Sequence, residues 1–96
     1  MNSTTHEIKR LLKNWHFYKA SISGLDPANP LRRKVEVIEN LVLNLDVLDS
    51  ALIRMKYFER AEMDIIAKTL GISIRAAYKR LDRIVEDMNY CLVTGV

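Results

Sequence analysis

The positions of glycine and proline are the strongest constraint on the fold of this chain. Only a handful of its 96 residues are of these types: Gly24, Pro27, Pro30, Gly71 and Gly95. These residues interrupt helices, and the long stretches between them lack the sustained polar–apolar alternation of a half-buried strand. The sequence therefore predicts an all-α fold of about four or five helices. A chain of this length has room for one compact core.

Two apolar stripes with heptad spacing follow one another in the N-terminal part. They comprise Ile8, Leu11, Trp15, Tyr18, Ile22 and Leu25, and then Leu31, Val35, Ile38, Val42 and Leu45. Between them the segment GLDPANP, residues 24–30, predicts a turn, because proline removes a backbone donor and disfavours helix in the residue before it. Each stripe is shorter than about three heptads, so residues 1–44 fit a supporting helical hairpin and an intermolecular coiled coil equally well.

Residues 45–90 divide into three shorter helical units, and residues 91–96 form a predicted tail. Asp46 and Ser73 are of the types that cap helix N-termini, and Gly71 suits a left-handed helix end. The positions predicted to face the core are Val47, Leu48, Ala51, Leu52, Met55, Ile65, Ile66, Ala67, Leu70, Ala77, Leu81, Ile84 and Met88. The last two units are thus joined by a short turn that contains glycine.

This pair of helices predicts a helix-turn-helix motif, in which the second helix lies in the major groove of DNA and the first crosses the backbone. The candidate DNA-binding residues are Lys68, Ser73, Ile74, Arg75, Tyr78, Lys79, Arg80 and Arg83. We expect Arg75 to make a bidentate contact to guanine and Ile74 to contact a thymine methyl group. We expect Tyr78 and Lys79 to reach bases or phosphates. Phosphate contacts are expected of the flanking cations Arg80, Arg83 and Lys68.

A combination of short motifs spans residues 45–88. An apolar–basic–Tyr–Phe sequence is followed by an acid, by the run IAKTLGIS and by RLDR at the end of the last unit. In this combination the segment resembles region four of bacterial sigma factors. The matching residues are Leu45, Met55 to Phe58, Glu62, Ile66, Ala67, Leu70, Gly71, Ile72, Ser73, Arg80, Leu81 and Arg83. The resemblance covers just under half of the chain and implies a helix-turn-helix domain that binds promoter DNA.

The chain also departs from the sigma-factor pattern. Asp46 stands where proline is common, and nothing upstream resembles the sigma region that melts DNA and reads the other promoter element, so a complete sigma factor is not expected. A helical N-terminal part before a region-four-like domain is similar to the ArpU-type regulators of Gram-positive phages and prophages. That resemblance implies a transcriptional regulator that controls late phage genes in a bacterial host cell. The sole cysteine and the charged N-terminus favour the cytoplasm. The resemblance to region four, which touches both promoter DNA and polymerase, implies RNA polymerase as a further partner. One small module buries limited surface on DNA, so a homo-oligomer through the N-terminal helices, most simply a dimer, is expected as the binding form.

Other interpretations fit the same residues. The cations of the last unit also suit a solvated helix face, and the Tyr78 ring suits packing on the preceding helix. A phage DNA-packaging adaptor similar to small terminase subunits would use such a motif within a ring of subunits. A protein-interaction module would use the region-four fold to bind RNA polymerase or a sigma factor. His16 and Phe17 lie off the first apolar stripe and are candidates for a partner surface.

Several functional classes are not expected. The net charge of +3 permits polyanionic partners, and the sole cysteine, Cys91, cannot form an internal disulfide. No apolar run approaches the about 18 residues of a membrane span. His6 and His16 have no metal-ligand spacing, and Asp46 and Asp49 stand at a helix start, where acids cap free amides. We therefore predict no catalytic residue, metal ligand or cofactor, and no enzymatic activity.

Overall fold

The computed structural model describes residues 3–94, and these form six α-helices and one π-helical turn. The helices are α1 (Ser3–Lys13), α2 (Trp15–Ile22), α3 (Pro30–Leu43), α4 (Val47–Ile53), α5 (Met63–Leu70) and α6 (Ile74–Thr94), and the π-helical turn (Arg54–Phe58) directly follows α4. No strand occurs within residues 3–94. The predicted all-α class is confirmed.

A single hydrophobic core joins both halves of the chain. Every α-helix contributes to it, and its fully buried side chains include Ile8, Leu12, Ile38, Leu52, Ile66 and Met88. The stripe predicted for α6 is confirmed, since Ala77, Leu81, Ile84 and Met88 are all buried. Each large aliphatic side chain removed from water in this way contributes about 1.5 to 3 kcal/mol. Residues 3–44 are therefore part of the same packed unit as residues 45–90.

The first apolar stripe lies on two helices that are separated at Asn14. Asn14 has φ −112° and ψ 32°, outside the helical range, and its side-chain amide donates to the Arg10 carbonyl at 3.0 Å. Trp15 and Ile22 are buried, as are the stripe residues of α1, so these side chains pack against other helices of the same chain. Helices α2 and α3 pack against each other, as the hairpin alternative predicts, and the Lys19–Glu39 ion pair links them.

The turn predicted at residues 24–30 is confirmed. The Asp26 carboxylate accepts a hydrogen bond from the Ala28 N–H at 2.8 Å. The Asn29 side-chain oxygen accepts from the Leu31 N–H at 2.9 Å and so caps α3, with Pro30 in the first helical position. Proline is favoured there because its missing N–H would have no helical partner.

Helix α4 begins at a cap and ends in a wider π-helical turn. The Asp46 carboxylate accepts from the Asp49 N–H at 2.8 Å, as predicted for an N-cap. In the π-helical turn the Glu59 N–H donates to the Arg54 carbonyl at 2.9 Å, five residues back instead of four. The Phe58 ring at its end stacks on Trp15, with 5.4 Å between ring centroids. This contact fixes the end of the turn against α2.

Three predictions about residues 45–96 are wrong in detail. Val47, in the first position of α4, is 89% exposed because the helix turns it away from the core. Ile65 is 53% exposed, because Met63, Ile66 and Ala67 already occupy the inner face of the short helix α5. The predicted tail is helical through Thr94, and the half-buried Leu92 packs on the core. The rest of that tail, residues 95–96, lies outside the described residues.

Candidate nucleic-acid interface

A tight glycine turn separates α5 from α6. Gly71 has φ +70°, in the left-handed region, and its N–H donates to the Lys68 carbonyl at 3.3 Å. The Ile72 N–H donates to the Ala67 carbonyl at 3.0 Å, which completes the Schellman pattern of helix ends. A Cβ atom built on Gly71 would meet nothing within 4 Å. Backbone conformation alone therefore explains the glycine, and the prediction of a left-handed end is confirmed.

The N-terminus of α6 is capped but carries no acid. The Ser73 hydroxyl oxygen accepts from the Ala76 N–H at 3.0 Å, so the predicted cap is confirmed. The hydroxyl hydrogen stays available to a ligand. The first turn holds Arg75 and no acidic residue. A cation there opposes the helix dipole at a cost of about 0.3 to 1 kcal/mol, whereas an anion bound at the same end is stabilised.

The solvent face of the first half of α6 is basic with apolar interruptions. Arg75, Lys79 and Arg83 are exposed. Ile74 and Tyr78, between them, are 46% and 49% exposed. Lys68 on α5 is exposed as well. Within residues 3–94 none of these four cations takes part in an ion pair. The structure thus leaves their charges free to meet a ligand.

Arg80 differs from the other predicted cations. Its Nη1 atom donates to the Asp49 carboxylate on α4 at 2.9 Å, and the residue is half-buried. This bond holds α6 against α4 and competes with a phosphate for the same guanidinium. Since arginine has five N–H donors, the remaining ones stay available. A structural role of Arg80 is therefore directly visible, and its predicted phosphate contact remains a prediction.

The charge of α6 reverses along its length. Asp82 lies within the basic first half, Arg83 is the last exposed cation of the helix, and the exposed acids Glu86 and Asp87 follow it. A polyanion is attracted to the N-terminal half of α6 and repelled from the half beyond Arg83. The electrostatics therefore restrict a candidate interface to the segment from Ser73 to Arg83.

A second basic surface was not apparent from the sequence. A cleft of about 830 Å³ lies where α1 meets the π-helical turn and the segment after it. Six basic or imidazole side chains line it, namely His6, Lys9, Arg10, Lys13, Lys56 and Arg60. The excess of basic residues in the first 24 positions was a signal for it. No pattern in the sequence indicated that Lys56 and Arg60, which are far from α1 along the chain, lie beside it in the fold.

Comparisons with protein families, with curated proteins and with solved structures found no match for this chain. Within the described residues no group of His, Cys, Asp and Glu has an arrangement that could hold a metal ion. None of the helices in residues 3–94 is both long enough and apolar enough to cross a membrane. The fold and the two basic surfaces are accordingly the basis for a function.

Proposed function

We propose that the chain is a sequence-specific regulator of transcription that binds double-stranded DNA through a helix-turn-helix formed by α5 and α6. The observation that carries this proposal is the exposed basic face at the start of α6, whose cations lack ion-pair partners within residues 3–94. The tight turn before α6, its capped N-terminus and the absence of acids in its first turn support the same proposal.

The proposed roles follow from the positions along α6. Arg75 and Ile74 enter the groove first, where arginine pairs with guanine and an aliphatic side chain contacts the thymine methyl group. Lys79 and Tyr78, one turn later, reach base edges or phosphates. Arg83 lies beyond them and binds a phosphate, as do Lys68 and the free donors of Arg80.

The biological setting of this proposal comes from the resemblance to region four of sigma factors and to ArpU-type regulators. We extend the proposal on that ground to control of late genes of a phage or prophage in a bacterial cytoplasm, with RNA polymerase as a second partner. One small module buries only about 600 to 1,000 Å² on DNA, so a dimer that reads two half-sites would gain affinity. Because the N-terminal stripe is used inside the chain, such a dimer would use another surface.

Two single substitutions on α6 separate base reading from phosphate binding. Arg75→Gln should weaken binding to the preferred duplex by about 1 to 3 kcal/mol and relax the preference at one position. Arg83→Gln should weaken binding to all duplexes alike and lower the slope of log K against log salt concentration by about 0.9. Fluorescence anisotropy with specific and scrambled duplexes, at several salt concentrations, measures both effects.

A matched control is Arg33→Gln, which removes the same charge from an exposed position on α3 that takes part in no ion pair within residues 3–94. It should leave base preference intact and change affinity less than either α6 variant. Equal effects of Arg75→Gln and Arg83→Gln on every duplex would contradict the assignment of roles. Equal effects of all three variants would contradict α6 as the interface.

A protein-interaction module is the second candidate, favoured by the exposed apolar side chains of Ile65, Ile74 and Tyr78. Buried apolar anchors of this kind contribute much of the affinity of protein interfaces. If the chain has this function, immobilised bacterial RNA polymerase should retain it in a pull-down without DNA, and Ile74→Ser should abolish the retention. DNA binding without retention would reject it.

A further inference from the structure

The basic cleft contains a concentration of like charge that the fold does not neutralise. Three of its cations, Lys9, Arg10 and Lys13, come from α1, and the others come from the segment that begins in the π-helical turn. Within the part of the chain that the structure describes, no acidic side chain lines the cleft. Within residues 3–94, Lys9, Arg10, Lys13 and Lys56 are absent from every ion pair. Such a cluster repels itself when the cleft is empty and is stabilised when an anion enters.

Arg60 connects the two walls of the cleft. Its Nη2 atom donates to the Lys13 carbonyl at the end of α1, at 3.1 Å. Its φ is +56°, the left-handed conformation that costs a residue with a Cβ atom about 1 to 2 kcal/mol. This conformation turns the chain after the π-helical turn, where the Ala61 N–H donates to the Met55 carbonyl at 2.9 Å. A strained residue that brings one more cation to a basic cleft suggests a function for the cleft.

The cleft adjoins the proposed DNA-binding helix. Tyr57 lines the cleft, and both its burial and the nearby Asp82 carboxylate raise the pKa of its hydroxyl. Asp82 lies on α6 between Lys79 and Arg83, the cations at the end of the basic face. The side of the cleft that contains Tyr57 is thus close to α6, and α1, which supplies Lys9, Arg10 and Lys13, packs directly against that helix.

We propose that this cleft binds backbone phosphates of the same duplex that α6 reads, outside the base-reading contact. Lys9 and Lys13 are spaced by about 6 Å along α1, which suits an extended row of phosphates better than one isolated group. Among the residues that the structure describes, the lining contains no glycine, and therefore no glycine-rich loop of the kind that encloses a nucleotide phosphate. This inference depends on the proposed function, because it assumes a duplex on α6.

A charge-matched pair of double variants tests the cleft. Arg10→Gln/Lys13→Gln removes two exposed cations of the cleft, and Arg33→Gln/Arg54→Gln removes two exposed cations that do not line it, of which Arg54 pairs with Glu59. The experiment measures affinity for a duplex that extends well beyond the preferred site, at several salt concentrations. The cleft variant should lower the log–log salt slope by about 2, since each neutralised phosphate contributes about 0.9. It should weaken specific and scrambled duplexes by the same factor, and the control variant should change the slope much less.

Failure of this proposal can be distinguished from failure of the proposed function. If Arg75→Gln weakens DNA binding but the cleft variant weakens it no more than the control variant does, the cleft proposal is overturned and α6 remains the interface. Absence of any duplex binding by the unmodified chain would overturn both. In that case, NMR shifts of Lys9, Lys13 and Arg60 amides on titration with inorganic tripolyphosphate would reassign the cleft to a free anion. Normal circular dichroism of each variant ensures that the comparison concerns folded protein.

Discussion

The substitution Leu12→Ala tests whether the N-terminal helices and the proposed DNA-binding helices form one packed unit. Leu12 lies on α1, is fully buried and belongs to the same core as Leu81 and Met88 of α6. Alanine is the best helix former, so the change leaves α1 intact and removes packing alone.

The expected cost is large compared with the total stability. Loss of the buried methyl and methylene groups, together with the cavity they leave, costs about 2 to 5 kcal/mol. A domain of this size has a free energy of unfolding of about 5 to 15 kcal/mol. A loss of even 2 kcal/mol would lower Tm by about 8 to 16 °C.

Urea denaturation followed by circular dichroism, and in parallel by Trp15 fluorescence, measures the effect. Both probes should report one transition that shifts together in the variant, because Trp15 and the C-terminal helices share a core. Leu43→Ala is the matched control, since Leu43 is 75% exposed, and it should change stability by less than about 0.5 kcal/mol.

Three results would refute the single core. A cost below about 1 kcal/mol for Leu12→Ala would mean that Leu12 is not buried as described. Two separate transitions, with only the first shifted by the variant, would mean that α1 and α2 form an independent arm. Dissociation of an oligomer without loss of stability in the remaining helices would return the apolar stripe to an intermolecular seam.

Three further predictions concern the turn, the cleft and α6. Gly71→Ala should lower the free energy of unfolding, measured by urea denaturation, by about 1 kcal/mol. The alanine Cβ atom would meet no neighbour, so the only cost is the positive φ. An unchanged stability would contradict the left-handed turn. Burial, and secondly the Asp82 carboxylate, raise the pKa of the Tyr57 hydroxyl above its ordinary value of 10.0. The contribution of Tyr57 to the free energy of unfolding is therefore fully present below pH 10 and is lost as pH rises through the folded-state pKa. Alkaline melting curves should show that Tyr57→Phe removes this part of the loss; an unchanged pH dependence would contradict it. Asp82→Asn should tighten DNA binding about two- to fivefold in anisotropy titrations by removing repulsion at the edge of the basic face; weaker binding would contradict that position.

Local chemistry explains the parts of the fold that the sequence predicted. Asp46, Ser73 and Gly71 act within a few residues of themselves, so their cap and turn roles could be predicted without knowledge of packing. The buried stripe of α6 could be predicted equally well, because a helix of 21 residues repeats its period several times. The exposed positions of Arg75 and Lys79 followed from that stripe.

Long-range contacts explain what the sequence did not predict. Leu12 is off the heptad stripe, but it is buried because α1 also packs against α6. The bond between Arg80 and Asp49 joins residues that are 31 positions apart. The basic cleft similarly depends on α1 meeting a π-helical turn, whose extra residue no periodicity indicated. Such features arise from tertiary packing, which a residue pattern along one helix does not encode.

The measurement that tests the proposed function most directly is selection of bound fragments from a random duplex library at near-physiological salt, followed by sequencing. A chain that reads bases through the first half of α6 should enrich a defined motif, and an inverted repeat would indicate a dimer with two-fold symmetry. Arg75→Gln should lose the preference at one position of that motif. Retention of fragments without any motif would contradict sequence reading and leave phosphate binding alone. No retention at all would contradict DNA binding and favour a protein partner.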